Sequence, residues 1–172
     1  MPKEMFDPAQ FMQINEEVNI DPIEVGPDTF IFSDPVRAEI SVTNTGGAFL
    51  VQGKVSGEAT CACARCLEDA QIDIAGTIEG YILIEGQDCD LDDLEGDEYE
   101  VLGDDKIVDM MPFIISAIML DLPRIPLCSD TCKGICPKCG HNLNEGECEC
   151  TEDEPDVSNN PFAVLKDIRF EN

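Results

Sequence analysis

The sequence predicts an α+β protein: a curled antiparallel β-sheet with a packed helix, plus a small zinc-knuckle module and a short C-terminal helix. Three observations carry this reading. Apolar and polar side chains alternate with a period of two through most of residues 37–84, as they do in strands with one buried face. The segment Asp109–Leu122 has a broad apolar face at helical spacing. Toward the C-terminus the cysteines gather in closely spaced pairs, the pattern of metal ligands.

The stretch up to about Pro35 mixes apolar residues with Pro22, Pro27 and Pro35 and shows no sustained period, so it reads as extended pieces and turns. Ala38, Ile40 and Val42 then mark a half-buried strand, and Asn44-Thr45-Gly46-Gly47 supplies a turn. In the next strand Phe49, Val51, Val55, Ala59 and Cys61 share one parity. In the one after it Ile72, Ile74, Ile78, Ile82 and Ile84 do the same, and the short connection between the two makes a hairpin. Gly53, Gly57, Gly76 and Gly80 inside these strands suggest bends or bulges.

Residues 85–100 are rich in aspartate and glutamate without a core-facing period, and read as a solvated loop. A calcium loop counted from Asp88 would need glycine at its sixth position and glutamate at its twelfth, where Asp93 and Tyr99 stand. Asp109 suits an N-cap and Pro112 the first turn of a helix, with Phe113, Ile114, Ile115, Ile118, Met119 and Leu122 facing inward, and the helix ends before Pro123. Asn160 and Pro161 can start a last short helix carrying Phe162, Leu165 and Ile168. Three parts follow: a β-rich core over 1–127 with its helix at 109–122, a zinc-binding module over 128–150, and an acidic linker with the C-terminal helix over 151–172.

The chain has 172 residues and a formal net charge of −27. Such a surface repels nucleic-acid phosphate unless its few cations converge, and it suits a basic protein partner better. The nearest thing to a basic patch is Arg124, Lys133, Lys138, Lys166 and Arg169. The opening MPKEMFDPAQ has no secretory pattern, and the nearly apolar run from Met110 to Leu120 is too short to span a bilayer. A cytoplasmic protein with no membrane segment is expected, in which thiols stay reduced and are free to bind metal.

In CPKCGHNLNEGECEC, Cys136 and Cys139 form a C-x-x-C-G knuckle, and Cys148 and Cys150 return after a short loop. Four sulfurs close a zinc tetrahedron in a segment with too few apolar side chains to build a core. Zinc fits better than an iron–sulfur cluster or disulfides. Cys63 and Cys66 in CARCLE, and Cys128 and Cys132 after the helix, are two half-sites that together make a second zinc site. The competing assignment groups Cys128, Cys132, Cys136 and Cys139 and leaves Cys148 and Cys150 over. A thioredoxin-like role for Cys63 and Cys66 would want a helix after them, where the sequence alternates as a strand. Cys61 reads as a buried thiol and Cys89 as incidental, and His141 is left without an assigned role.

Neither zinc site leaves the open coordination position that catalysis needs. No phosphate-binding glycine loop, Ser–His–Asp set or acid–base pair stands out, so no enzyme activity and no small-molecule substrate are expected. Four thiolates outweigh one divalent cation, so two zinc ions would not relieve the acidity.

At four places in matching order the sequence resembles the large ribosomal RNA subunit accumulation protein (YceD) family, and within it a cysteine-rich branch. The places are CARCLE at 63–68, LDLPRIPLC at 120–128, CKGICPKCGHNLN at 132–144 and NPFAVLKDI at 160–168. The resemblance implies a non-enzymatic part in 23S ribosomal RNA synthesis or accumulation, hence in large-subunit biogenesis. It also implies association with ribosomal precursor or with a small ribosomal protein. The alternative that the charge favours is an acidic binding or chaperone module for a basic ribosomal protein.

Overall fold

The computed structural model describes Met5, Asp7, residues 10–84 and residues 99–150. The acidic loop through residue 98, Cys89, the acidic linker and the C-terminal helix expected near 160–168 lie outside the described residues. The chain divides into two compact units, Met1–Cys132 and Lys133–Asn172. Cys128 and Cys132, read from the sequence as the start of the zinc module, are counted with the first unit.

The first unit is built on a five-stranded sheet. Its strands are β1 (Phe11–Val18), β4 (Val36–Asn44), β5 (Ala48–Ala62), β6 (Asp69–Ile84) and β7 (Tyr99–Leu102), in the order β1-β4-β5-β6-β7. With β1 and β7 both at edges, the sheet is not closed. A separate two-stranded sheet pairs β2 (Ile23–Val25) with β3 (Asp28–Phe30) across Gly26, whose φ of 62° is left-handed. Ile31 then bridges to Thr60 of β5 through two backbone hydrogen bonds of 2.9 Å.

Alternation becomes burial most cleanly in β4, where Val36, Ala38, Ile40 and Val42 are buried. Asn44, on the same face, is the one buried polar residue among those described. Its amide donates to the carbonyls of Met5 (2.8 Å) and Asp7 (3.3 Å), and its Oδ1 accepts from Gly46 N–H (2.7 Å), so its burial is compensated. Gly46, at φ 103°, turns the chain into β5.

β5 and β6 pair without a skipped residue from Ala48↔Leu83 to Ala62↔Asp69. The strand glycines, expected to mark bends or bulges, put no bulge into this ladder, and two of them serve close approach. A Cβ on Gly53 would run into the Glu39 carbonyl of β4, and one on Gly76 would meet the Ala117 carbonyl oxygen at 2.5 Å.

The expectation of a purely antiparallel sheet is corrected at one edge, because β7 runs parallel to β6. Strands that run the same way need a connection of a dozen or more residues, and residues 85–98 supply that length. β1 pairs with β4 along its full length, although the sequence showed only extended pieces there. Its inward positions Met12, Ile14 and Val18 are only half-buried and Glu16 breaks the apolar series, which weakens the period.

Helix α1 (Met111–Asp121) packs on β6 and β5. Phe113, Ile114, Ala117 and Ile118 are buried in one cluster with Phe49, Val51, Val55, Ile74, Ile78 and Ile82 of the sheet and Phe30 of β3. Met119, read from the sequence as inward, is 49% exposed. The helix is apolar nearly all round, so spacing alone could not choose its buried stripe. Met110 takes the N-cap place expected for Asp109, whose carboxylate instead accepts the Met111 N–H at 2.9 Å. Near its C-terminal end Asp121 accepts the Ala75 N–H of β6 at 2.8 Å, and Leu122 closes the helix before Pro123.

Candidate metal centres

Two cysteine quartets come together. Cys63, Cys66, Cys128 and Cys132 meet in the first unit, and Cys136, Cys139, Cys148 and Cys150 in the second. Within each quartet all sulfurs lie within 4.8 Å of one another. The chain does not adopt the competing grouping of Cys128, Cys132, Cys136 and Cys139.

In the first quartet, β5 delivers Cys63 at the hairpin tip, where the Cys63 N–H donates to the Glu68 carbonyl (2.8 Å) and the Leu67 N–H to the Cys63 carbonyl (2.9 Å). The segment after α1 is tied to this tip by Ala64 N–H to the Pro126 carbonyl (2.8 Å) and by Arg65 Nη1 to the Cys132 carbonyl (2.9 Å). Cys63 and Cys132 sulfurs are 3.8 Å apart, and those of Cys66 and Cys128 are 3.6 Å apart. A disulfide would hold them at about 2.05 Å. Four sulfurs at about 2.3 Å from one ion form a tetrahedron with edges of about 3.8 Å, so this quartet is spaced as ligands. Cys63, Cys66 and Cys132 are buried, while Cys128 is exposed.

The second quartet repeats the first knuckle bond for bond. Cys136 N–H donates to the His141 carbonyl (2.8 Å) and Gly140 N–H to the Cys136 carbonyl (2.9 Å). His141 thus contributes its backbone carbonyl to the loop. Leu143 N–H to Gly134 carbonyl (2.9 Å) and Lys133 N–H to Asn144 Oδ1 (2.7 Å) close the loop that follows. The residue after the second cysteine is left-handed in both knuckles, Gly140 at φ 74° and Leu67 at φ 63°. Glycine takes that conformation freely, whereas a side chain pays for it. Leu67 and the anchoring of Arg65 were missed from the sequence; aligning C-A-R-C-L with C-P-K-C-G would have revealed the first.

The knuckles also set the thiol acidities. Burial pushes the Cys63 thiol up, but the N–H groups of Cys128, Cys66 and Arg65 point at its sulfur and together bring it down to about 6. Cys136 is likewise lowered to about 6, chiefly by the N–H groups of Cys139 and Lys138. Other members move the opposite way. Cys150 is pushed up to about 12 by the Cys139 thiol and by burial. At Cys66 the Glu68 N–H favours the thiolate, yet burial and the three neighbouring sulfurs prevail and raise it to about 12. Without a cation, four sulfurs this close cannot all carry charge, and a bound divalent ion removes that penalty. Cys61, buried beside this quartet in sequence but outside it, has its thiol raised by burial, then by Asp28 and Cys63.

These quartets lie inside a recognised sequence match. The family described as Large ribosomal RNA subunit accumulation protein YceD matches residues 51–169. The chain belongs to the YceD family. Among curated YceD relatives, the chain is 34% identical over 62 residues to the chloroplastic YCED homolog 1 of Arabidopsis thaliana, covering 36% of this chain and 19% of that protein. The chloroplastic YCED homolog 1 of Zea mays is 28% identical over 142 residues, covering 67% of this chain and 48% of its own length. An uncharacterized protein of Mycobacterium tuberculosis is 28% identical over 102 residues, 59% of this chain and 48% of the relative. The chain thus spans less than half the length of each of these three proteins. No solved structure matches it. Among the described residues, no helix is long and apolar enough to cross a membrane.

Proposed function

We propose that the protein is a non-enzymatic factor in 23S ribosomal RNA accumulation and large-subunit biogenesis, acting in the cytoplasm through ribosomal precursor or a ribosomal protein. The observation that carries this reading is the YceD family match over residues 51–169, which includes both cysteine quartets. The family's description supplies the ribosomal role. Each quartet holds a structural zinc ion: four thiolates fill a tetrahedron and leave no open position for a reacting water or substrate. In the second unit the ion substitutes for a hydrophobic core, and in the first it clamps the hairpin tip to the segment after α1.

The reading is tested by depleting the protein in its host. The ratio of 23S to 16S ribosomal RNA is expected to fall, and an unchanged ratio under both normal and stressed growth would refute it. A second reading, an acidic module that shields a basic ribosomal protein, is favoured by the net charge of −27. It predicts a salt-sensitive complex that survives nuclease treatment.

A further inference from the structure

We infer that the hairpin tip of the first unit, with Leu67 and Ile125 exposed beside the outer face of β5 and β6, docks a cationic amphipathic segment of a partner protein. This rests on the reading of the protein as a partner-binding factor and names the chemistry of the partner.

Leu67 carries the argument. Its backbone is left-handed at φ 63°, in the place where the other knuckle has Gly140, and its side chain is 68% exposed. The knuckle would close at least as well with glycine there. The chain therefore accepts backbone strain and leaves most of a large apolar group in water at the same position. Strain combined with an exposed apolar side chain marks a contact made to something else. Ile125 is 67% exposed and stands next to Pro126, whose carbonyl accepts the Ala64 N–H of the tip. The quartet and this hydrogen bond hold both loops in place, so the two side chains are presented on a rigid support.

Charge selects the occupant. An open groove of about 580 Å³ adjoins the tip and is lined by Glu58, Thr60, Asp69, Gln71, Asp73 and Cys128. Glu58 and Asp73 stand directly opposite each other in the β5–β6 ladder, a like-charge pairing that weakens a sheet. No cation is among the lining residues. Lysine or arginine side chains of a partner would relieve that repulsion while its apolar side chains cover Leu67 and Ile125. RNA phosphate would meet three carboxylates here, and a second copy of this chain would bring another −27 of charge.

The test uses the full zinc-loaded chain and fluorescence anisotropy. The probe is a labelled peptide of leucine and lysine in amphipathic helical order. A lysine–glycine peptide of equal charge and a uridine oligonucleotide serve as comparisons. The leucine–lysine peptide is expected to bind best. Leu67→Gly should weaken it by about ten-fold or more while leaving the thermal midpoint unchanged or raised, so misfolding cannot explain the loss. Glu58→Gln combined with Asp73→Asn should weaken binding and flatten its salt dependence. Equal binding by Leu67→Gly and the natural chain overturns the proposal. So does equal binding of the lysine–glycine peptide, or binding of the oligonucleotide in place of the peptide. The 23S to 16S ratio after depletion is measured separately, so the failure of one reading is distinguishable from the failure of the other.

Discussion

At the residue scale, the two knuckles are an internal control on what the left-handed position costs. A side chain there gives up about 1–2 kcal/mol relative to the right-handed region. Glycine gives back about 0.4–1 kcal/mol of that through the greater freedom of the unfolded chain. Leu67→Gly is therefore expected to change stability by about 0–1.6 kcal/mol, in the stabilising direction, as read by a thermal melt of the loaded protein. The reverse change, Gly140→Leu, should destabilise the second unit by up to about 1.6 kcal/mol and weaken its hold on zinc, measured by competition with a chromogenic chelator. Phe30 is the other residue whose weight only the fold reveals. It is fully buried in the core cluster although it comes from a segment without period, and Phe30→Ala should cost about 3–5 kcal/mol in urea denaturation.

At the element scale, α1 and β6 approach so closely that the missing side chain of Gly76 is part of the packing. A methyl group there would meet the Ala117 carbonyl oxygen at 2.5 Å and Val55 Cγ1 at 3.0 Å. Since one of these neighbours is backbone, the helix must shift to make room. Gly76→Ala is expected to destabilise by about 1–3 kcal/mol, with hydrogen exchange quickening in α1 more than in β4. The same helix shows why some elements were legible and others were not. β4, β5 and β6 have one wet face, so burial prints a period of two on their sequences. α1 is apolar around its circumference, so its existence could be read but its buried stripe could not. β1, with half-buried inward positions, left almost no period to read.

At the scale of the whole molecule, a metal ion held by each quartet would have a different task in each unit. Unit one has an apolar core of its own, spanning the sheet, α1 and Phe30, and needs its quartet only to fasten the hairpin tip to the segment after the helix. The described part of unit two, residues 133–150, forms no helix or long strand and draws its order from the loop hydrogen bonds and the sulfurs. Cys66→Ser should therefore leave the sheet folded while exchange quickens around Ala64 and Pro126. Cys136→Ser should unfold the second quartet's loop and leave the first unit's melt unchanged. Native mass spectrometry is expected to count two zinc ions in the natural chain and one in each variant. Equal, global effects of both substitutions would contradict this division.

The sequence by itself determined the α+β class, the strand pair that ends in CARCLE, the helix before Pro123 and the four cysteines that gather between 136 and 150. Each of these is written in local order: a period, a cap, or a spacing that brings ligands together within one short loop. Counting half-sites in the sequence pointed to Cys63 and Cys66 meeting Cys128 and Cys132, and the packed fold decided it over the competing grouping; the tertiary structure alone decided that β7 joins β6 in parallel and that Leu67 takes a glycine's place. Contacts between residues some sixty positions apart depend on how the sheet, helix and loops pack, and no local pattern records that geometry.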